Sequence, residues 1–186
     1  MCSSLTFCRS YLKEFPHDPL LVDTNVVLGR IDHFEALCSK SRIDERGAVP
    51  TVPDFIDREI RNARIERSED ILDRYRRVRD SRDEGHSLWQ LVTPFRTVKQ
   101  CKRSLDVMPS GAKHRTIQTY RERGELDSRS RHKDFALIAV VTLMADSEGL
   151  HPKVVSRDGA IRDACRNISE LGYDLRCLGL REFLED

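Results

Sequence analysis

Four carboxylates stand where apolar segments of this chain end or begin: Asp23 after LLV, Glu59 six residues beyond Pro53, Asp134 ahead of FALIAVV, and Asp158 after VVSR. Acidic side chains gathered in one crevice repel one another and acquire raised pKa values unless cations neutralise them. An all-oxygen donor set selects hard divalent ions, Mg2+ or Mn2+. Each acid alone also has a plainer reading. Asp23 caps a following helix, Glu59 is one more solvated charge beside Asp57, Arg58 and Arg61, Asp134 opposes a helix amino-terminal dipole, and Asp158 before Gly159 makes a turn or cap. Joint placement at element ends is what favours a shared role. Asp54 and Asp57 compete with Glu59 for the second position, and Asp163 competes with Asp158 for the fourth.

The elements that must position these acids read as α/β. LLVDTNVVL is a buried strand running into a helix at Asp23, Thr24 and Asn25, and Ala48 to Val52 is a second strand. Pro53 and Asp54 open one long amphipathic helix through Ile56, Ile60, Ala63, Ile71, Tyr75 and Val78. Between Asp80 and Arg131 the pattern is ambiguous: SLWQLVTPF is a strand or a buried turn, and PSGAKH signals a loop. Phe135 to Ala145 is apolar all round and predicts a buried helix with Asp134 in its first turn. Lys153 to Ser156 is a strand, a helix follows through Ile161 to Leu171 and stops at Gly172, and DLRCLGL with REFLED makes a last strand and short helix. Alternation of this kind implies a central parallel sheet with right-handed crossovers, in a three-layer α/β/α domain. Ligands of such sheets bind beyond the carboxyl ends of the strands, where acids distant in sequence meet.

The chain has 186 residues, enough for one domain with a substantial core. Residues 1–18 read as an amino-terminal arm ending in the breakers Pro16, His17, Asp18 and Pro19; residues 19–186 form the domain, with a helical, basic insertion at about 61–131. With 39% hydrophobic and 34% charged residues, the composition is that of a globular chain rather than a disordered one. No run approaches the roughly 18 apolar residues of a membrane span, and the amino terminus lacks a secretory pattern, so a cytoplasmic location is expected. The six cysteines form no C-x-x-C pair, which argues for reduced thiols over a zinc knuckle or disulfide framework. Cys101 and Trp89 are expected in the core. The net charge of +1 hides an asymmetry: Arg58 to Lys133 carries 20 Lys/Arg against 12 Asp/Glu, and the remainder is correspondingly acidic. Such a basic stretch suits a polyanion, although an arginine-rich helix with interleaved acids also makes an ordinary solvated face. Neither G-x-x-x-x-G-K-[ST] nor G-x-G-x-x-G occurs, which excludes the common nucleotide-binding loops. Asn25 stands where a phosphatase of the haloacid dehalogenase type needs its second aspartate.

The order LVDTNVV, VPDFIDREI, KDFALIAVV, VVSRDGAI resembles the PIN-domain nucleases, over roughly residues 20–184. The resemblance implies a PIN-like, Rossmann-like α/β/α domain and metal-dependent hydrolysis of phosphodiester bonds in single-stranded RNA, leaving a 5′-phosphate and a 3′-hydroxyl. Asp23, Glu59, Asp134 and Asp158 would then be the catalytic metal ligands for Mg2+ or Mn2+. Asn25 and Ser156 would orient a ligand carboxylate or water, and Thr24 would cap its helix. Arg58, Arg61, Arg64, Arg131 and Lys133 flank the acids and would hold phosphates, unless they pair with neighbouring Asp and Glu. The interval from Glu59 to Asp134 is longer than in the compact VapC-type toxins of the family. A toxin would need an antitoxin or other regulatory protein that blocks the crevice, for example with an inserted arginine, and a homodimer is expected from the family. The competing readings are a non-cleaving PIN-like scaffold that binds RNA or protein, and a structure-specific DNA nuclease.

Overall fold

The computed structural model describes residues 18–185 except 30, 39–47, 64–67, 81, 84–85, 88–89, 93–97, 127–130 and 147–149. Of the arm expected at 1–18, residues 1–17 lie outside the described residues, as do Arg64 and Trp89, while Asp18 belongs to the first strand.

Five strands form one sheet: β1 (Asp18–Val22), β2 (Ala48–Pro53), β5 (Gln90–Val92), β6 (Lys153–Val155) and β7 (Arg176–Leu178). Their order is β5-β2-β1-β6-β7 and every pairing is parallel. A separate antiparallel pair joins β3 (Arg82–Asp83) to β4 (His86–Ser87). Parallel strands need crossovers, here made by α1 (Thr24–Gly29), α2 (Ile31–Leu37), α3 (Asp54–Arg61) and α4 (Ser68–Asp80) before β5. After it come α5 (Val98–Lys102), a 3-10 turn (Ser104–Val107), α6 (Ser110–Glu122), α7 (His132–Ala145), α8 (Gly159–Ser169) and α9 (Leu180–Glu185). The chain builds outward from β1 to β5 and then returns to β6 on the other side of β1. Right-handed crossovers place the helices before and after that return on opposite faces, giving the expected three layers. The contacts agree, with α1 to α4 packing among themselves and α5 to α8 among themselves.

The core lies where the central strands meet α7. β1 is buried on both faces, as a central parallel strand should be, through Leu20, Leu21 and Val22. Every residue of α7 from Phe135 to Met144 is buried, which explains why the apolar character runs all round it.

The structure departs from the sequence pattern in the middle of the chain. The long helix expected after Pro53 is two helices. Asn62 ends α3 with φ −99° and ψ 4°, its N–H shared between the carbonyls of Arg58 and Glu59, as at a fraying helix end. The break lets α4 fold back on α2, where Arg74 pairs with both Asp32 and Glu35. PSGAKH is the start of α6 rather than a loop. Pro109 sits at its cap, where a missing N–H costs nothing, and Ala112, Thr116 and Tyr120 bury one side at four-residue spacing. Within SLWQLVTPF, Gln90–Val92 is the edge strand β5, so segment 61–131 is built into the central sheet rather than appended to it. Pro19, read as a breaker, lies inside β1.

Candidate functional site

Strand order reverses between β1 and β6, and a crevice opens beyond their carboxyl ends at such a switch point. The register there pairs Val22 with Val155, and the ladder runs one residue further, the Asp23 N–H donating to the Val155 carbonyl at 3.1 Å. Asp23 is thereby set beside Ser156, whose hydroxyl donates to Asp23 Oδ2 at 2.6 Å. The same hydroxyl accepts the Asp158 N–H at 3.0 Å, so Ser156 ties Asp23 to the backbone of Asp158. Asp158 makes the cap of its plainer reading, Oδ1 accepting from the Ala160 N–H at 2.7 Å at the start of α8, while Oδ2 accepts from Arg131. Asn25 accepts the Arg157 N–H at 3.0 Å and ties α1 to this loop, binding backbone where a carboxylate or water was expected.

Glu59 reaches the crevice from α3. Thr24, expected as a cap, instead donates its hydroxyl to Glu59 Oε2 at 2.7 Å, while Lys133 Nζ holds Glu59 Oε1 at 2.6 Å. Asp134 enters from the first turn of α7. Arg131 Nη1 donates to Asp134 Oδ2 at 2.9 Å and to Asp158 Oδ2 at 3.0 Å, so both carboxylates converge on one nitrogen. Its Nη2 donates to Glu125. The guanidinium also lies 5.8 Å from the Tyr120 ring centroid, and that ring meets Phe135 edge-on at 4.8 Å. Arg131 Nε and the Tyr120 hydroxyl are buried here with no hydrogen-bond partner among the described residues.

Electrostatics mark the same point. Burial pushes the Asp23 carboxyl up to about 7 against the Ser156 hydrogen bond, and the charges of Asp134 and Asp158 add to the rise. Burial raises Asp134 to about 6, opposed by Arg131 and reinforced by Asp158 and Glu59. The four acids thus sense one another. Even so, among the described residues no three His, Cys, Asp or Glu side chains stand in ligand geometry about one point. Basic side chains intervene: Arg131 separates Asp134 from Asp158, and Lys133 occupies Glu59.

The competing acids separate cleanly. Asp163 pairs with Arg123 and Arg166 at 2.8 and 2.7 Å, whereas Asp158 faces Arg131 and Asp134. Asp54 is held by Arg58 at 2.8 Å. Asp57 is buried between the Tyr75 hydroxyl, which donates to it at 3.0 Å, and Arg61 at 2.7 Å. Arg58 and Arg61 therefore follow the ion-pair reading rather than the phosphate reading. Tyr75→Phe is expected to lower stability by about 1–2 kcal/mol, because Asp57 loses a buried donor, and so to lower Tm by about 2–8 °C without altering the crevice. A thermal melt checks this, and an unchanged Tm would remove Asp57 from the packing account.

Two residues of the site were not visible in the spacing, Tyr120 and Glu125. A signal for both existed in Gly124. With φ +66° it closes α6 in a Schellman turn, its N–H donating to Arg121 O and the Glu125 N–H to Tyr120 O, which brings Glu125 back toward Arg131. Cys101 is buried as expected, and the thiols of Cys38, Cys101, Cys165 and Cys177 are free. No described helix is long and apolar enough to cross a membrane. Compared with protein-family models and with curated proteins, the chain matches none.

Proposed function

We propose that the chain is a metal-dependent endoribonuclease of the PIN-like kind, hydrolysing phosphodiester bonds of single-stranded RNA through Asp23, Glu59, Asp134 and Asp158. The observation that carries this reading is the nearness of these acids at the switch point of the sheet, where Asp23, buried, and Asp134, half-buried, are both held above the usual carboxylate range and are raised further by neighbouring acids of the set. The donor set suits Mg2+ or Mn2+ in chemistry, being all oxygen, and in convergence, since Asp134 and Asp158 already share one cationic nitrogen. Arg131 Nε and the Tyr120 hydroxyl, buried with no hydrogen-bond partner among the described residues, mark the same place as polar. When bound, the divalent ion supplies an acidified water and stabilises charge on the scissile phosphate. The chain's own residues position the acids: Ser156 fixes Asp23 and the loop of Asp158, Thr24 fixes one oxygen of Glu59, and Asn25 anchors the Arg157 backbone. Arg131 and Lys133, which pair with these acids in the metal-free fold, would be the bases nearest a phosphate at this site.

One observation favours a second reading. The chain supplies in cis the arginine among carboxylates that an antitoxin would insert, which also suits a scaffold that binds RNA without cutting it. Incubation of purified protein with labelled single-stranded RNA, single-stranded DNA and flap DNA, in EDTA, Mg2+ or Mn2+, separates the readings. Metal-dependent RNA cleavage leaving 5′-phosphates is the expected result; preference for flap DNA favours the structure-specific nuclease, and retained RNA binding without cleavage favours the scaffold.

A further inference from the structure

The arginines expected to hold phosphates are engaged with acids: Arg58 with Asp54, Arg61 with Asp57, and Arg131 with Asp134 and Asp158. A different basic surface lies next to the crevice. A groove of about 830 Å3 runs between α8, β7 and the start of α9, lined by Arg123, Arg162, Arg166 and Arg176 over a floor that includes Cys165 and Leu175. Its acids are already satisfied within the fold. Asp163 is shared by Arg123 and Arg166, and Glu182 Oε2 accepts the Gly179 N–H at 3.1 Å. Arg162 and Arg176 are exposed and have no ion pair or side-chain hydrogen bond among the described residues.

One end of the groove lies at the start of α8, next in the chain to the site. Gly159 lines it and directly follows Asp158 in the chain; a Cβ at Gly159 would stand 3.1 Å from Arg123 Nη2, so the bare backbone leaves that guanidinium against the start of α8. From there Arg162 and Arg166 follow at four-residue spacing on one face of α8, and Arg176 faces them from the edge strand. The 11 residues of α8 extend about 16 Å, a span of several phosphates.

We propose that this groove is the track for the sugar-phosphate backbone of a single-stranded RNA on one side of the scissile bond, with Arg162 and Arg176 as its open phosphate contacts. The assignment rests on the nuclease reading for the location of the scissile bond, and on charge complementarity for the track itself. Open guanidiniums beside pre-paired ones favour a ligand that presents charges at intervals along a line.

The test is fluorescence anisotropy of end-labelled oligo(U) in EDTA, where no metal-dependent cutting occurs, with the full chain and with the double variant Arg162→Ala/Arg176→Ala. At about 50 mM salt the double variant is expected to bind about tenfold more weakly, and its salt slope to be shallower by about 1.4, two contacts at about 0.7 each. Arg162→Lys/Arg176→Lys keeps the charges and is expected to retain most of the affinity. Both pairs are exposed, so a far-UV melt is expected to match the parent. Equal binding by the alanine variant overturns the proposal, as does tighter binding of poly-glutamate than of oligo(U), which would make the groove a site for an acidic protein. Failure of the nuclease reading registers elsewhere: weakened binding without any metal-dependent cleavage keeps the groove and removes the nuclease, whereas cleavage with unaltered binding does the reverse.

Discussion

Asp23→Asn is expected to abolish metal-dependent cleavage and, in the same molecule, to raise the melting temperature of the metal-free protein at pH 8. The two effects have one cause. Asp23 is 6% exposed, and burial together with the charges of Asp134 and Asp158 holds its carboxyl at about 7 in the folded chain, well above the 3.8 of an unfolded aspartate. A folded pKa above the unfolded one means that this group's contribution to stability is complete below about pH 4 and is lost as pH rises through about 7. Asp134, raised to about 6, acts in the same direction over a slightly lower window. Ionised Asp23 therefore strains the metal-free fold at pH 8 by an amount on the order of 2–4 kcal/mol. Asparagine removes the charge and keeps an oxygen to accept the Ser156 hydroxyl, so Tm in EDTA is expected to rise by about 4–16 °C at pH 8 and to change little at pH 4. Cleavage is expected to fall by about a thousandfold or more, because a neutral amide cannot replace a carboxylate toward a divalent ion. Melting in EDTA at the two pH values, beside a cleavage assay with Mn2+, reads both. A lower Tm for Asp23→Asn at pH 8 would make Asp23 a structural acid of the β1–α1 junction, and retained cleavage would take it out of the chemistry.

How far the sequence carries the site depends on the range of each interaction. The placement of Asp23 and Asp158 was legible because both depend on short-range facts: an apolar run must be a buried strand, and a parallel sheet brings its carboxyl ends together. Asp134 was legible for a similar reason, since it stands at the polar start of α7, directly ahead of ten consecutive buried residues. Glu59 could be offered only together with Asp54 and Asp57. What separates the three is Tyr75, which takes Asp57 out of contention from 18 residues away, and Thr24, which takes hold of Glu59 from 35 residues away. β5 was ambiguous because a three-residue edge strand carries too few positions to show a period, and its partner β2 lies far back in the chain. The break at Asn62 was hidden because apolar residues at helical spacing continue across it; they belong to two helices that face different neighbours.

For Arg131 the sequence left phosphate and neighbouring acids both open as partners for a physical reason: spacing shows that a base lies near acids, but not which charge wins it. In the fold it carries hydrogen bonds to Asp134, Asp158 and Glu125 while its side chain is only 23% exposed. Arg131→Ala is expected to be the most destabilising single change in the crevice without metal. It leaves Asp134 and Asp158 facing each other without their shared cation, and Glu125 with Arg123 alone, at a cost of about 2–3 kcal/mol, and Tm in EDTA is expected to fall by about 4–10 °C at pH 8. The same substitution is expected to increase the stabilisation by Mn2+ and to lower the half-saturating Mn2+ concentration by about tenfold, because the ion no longer has to displace a tethered cation from Asp134 and Asp158. A structural role alone predicts the first effect and not the second. Arg131→Lys, which keeps the charge but loses the planar fork, is expected to fall between parent and alanine in both. Thermal melts over a Mn2+ series therefore separate the cases: a fall in Tm that Mn2+ reverses more strongly in Arg131→Ala than in the parent makes Arg131 the stand-in for the ion, whereas a fall that Mn2+ leaves in place makes it a strut between α7 and α8 and weakens the case that these acids bind metal.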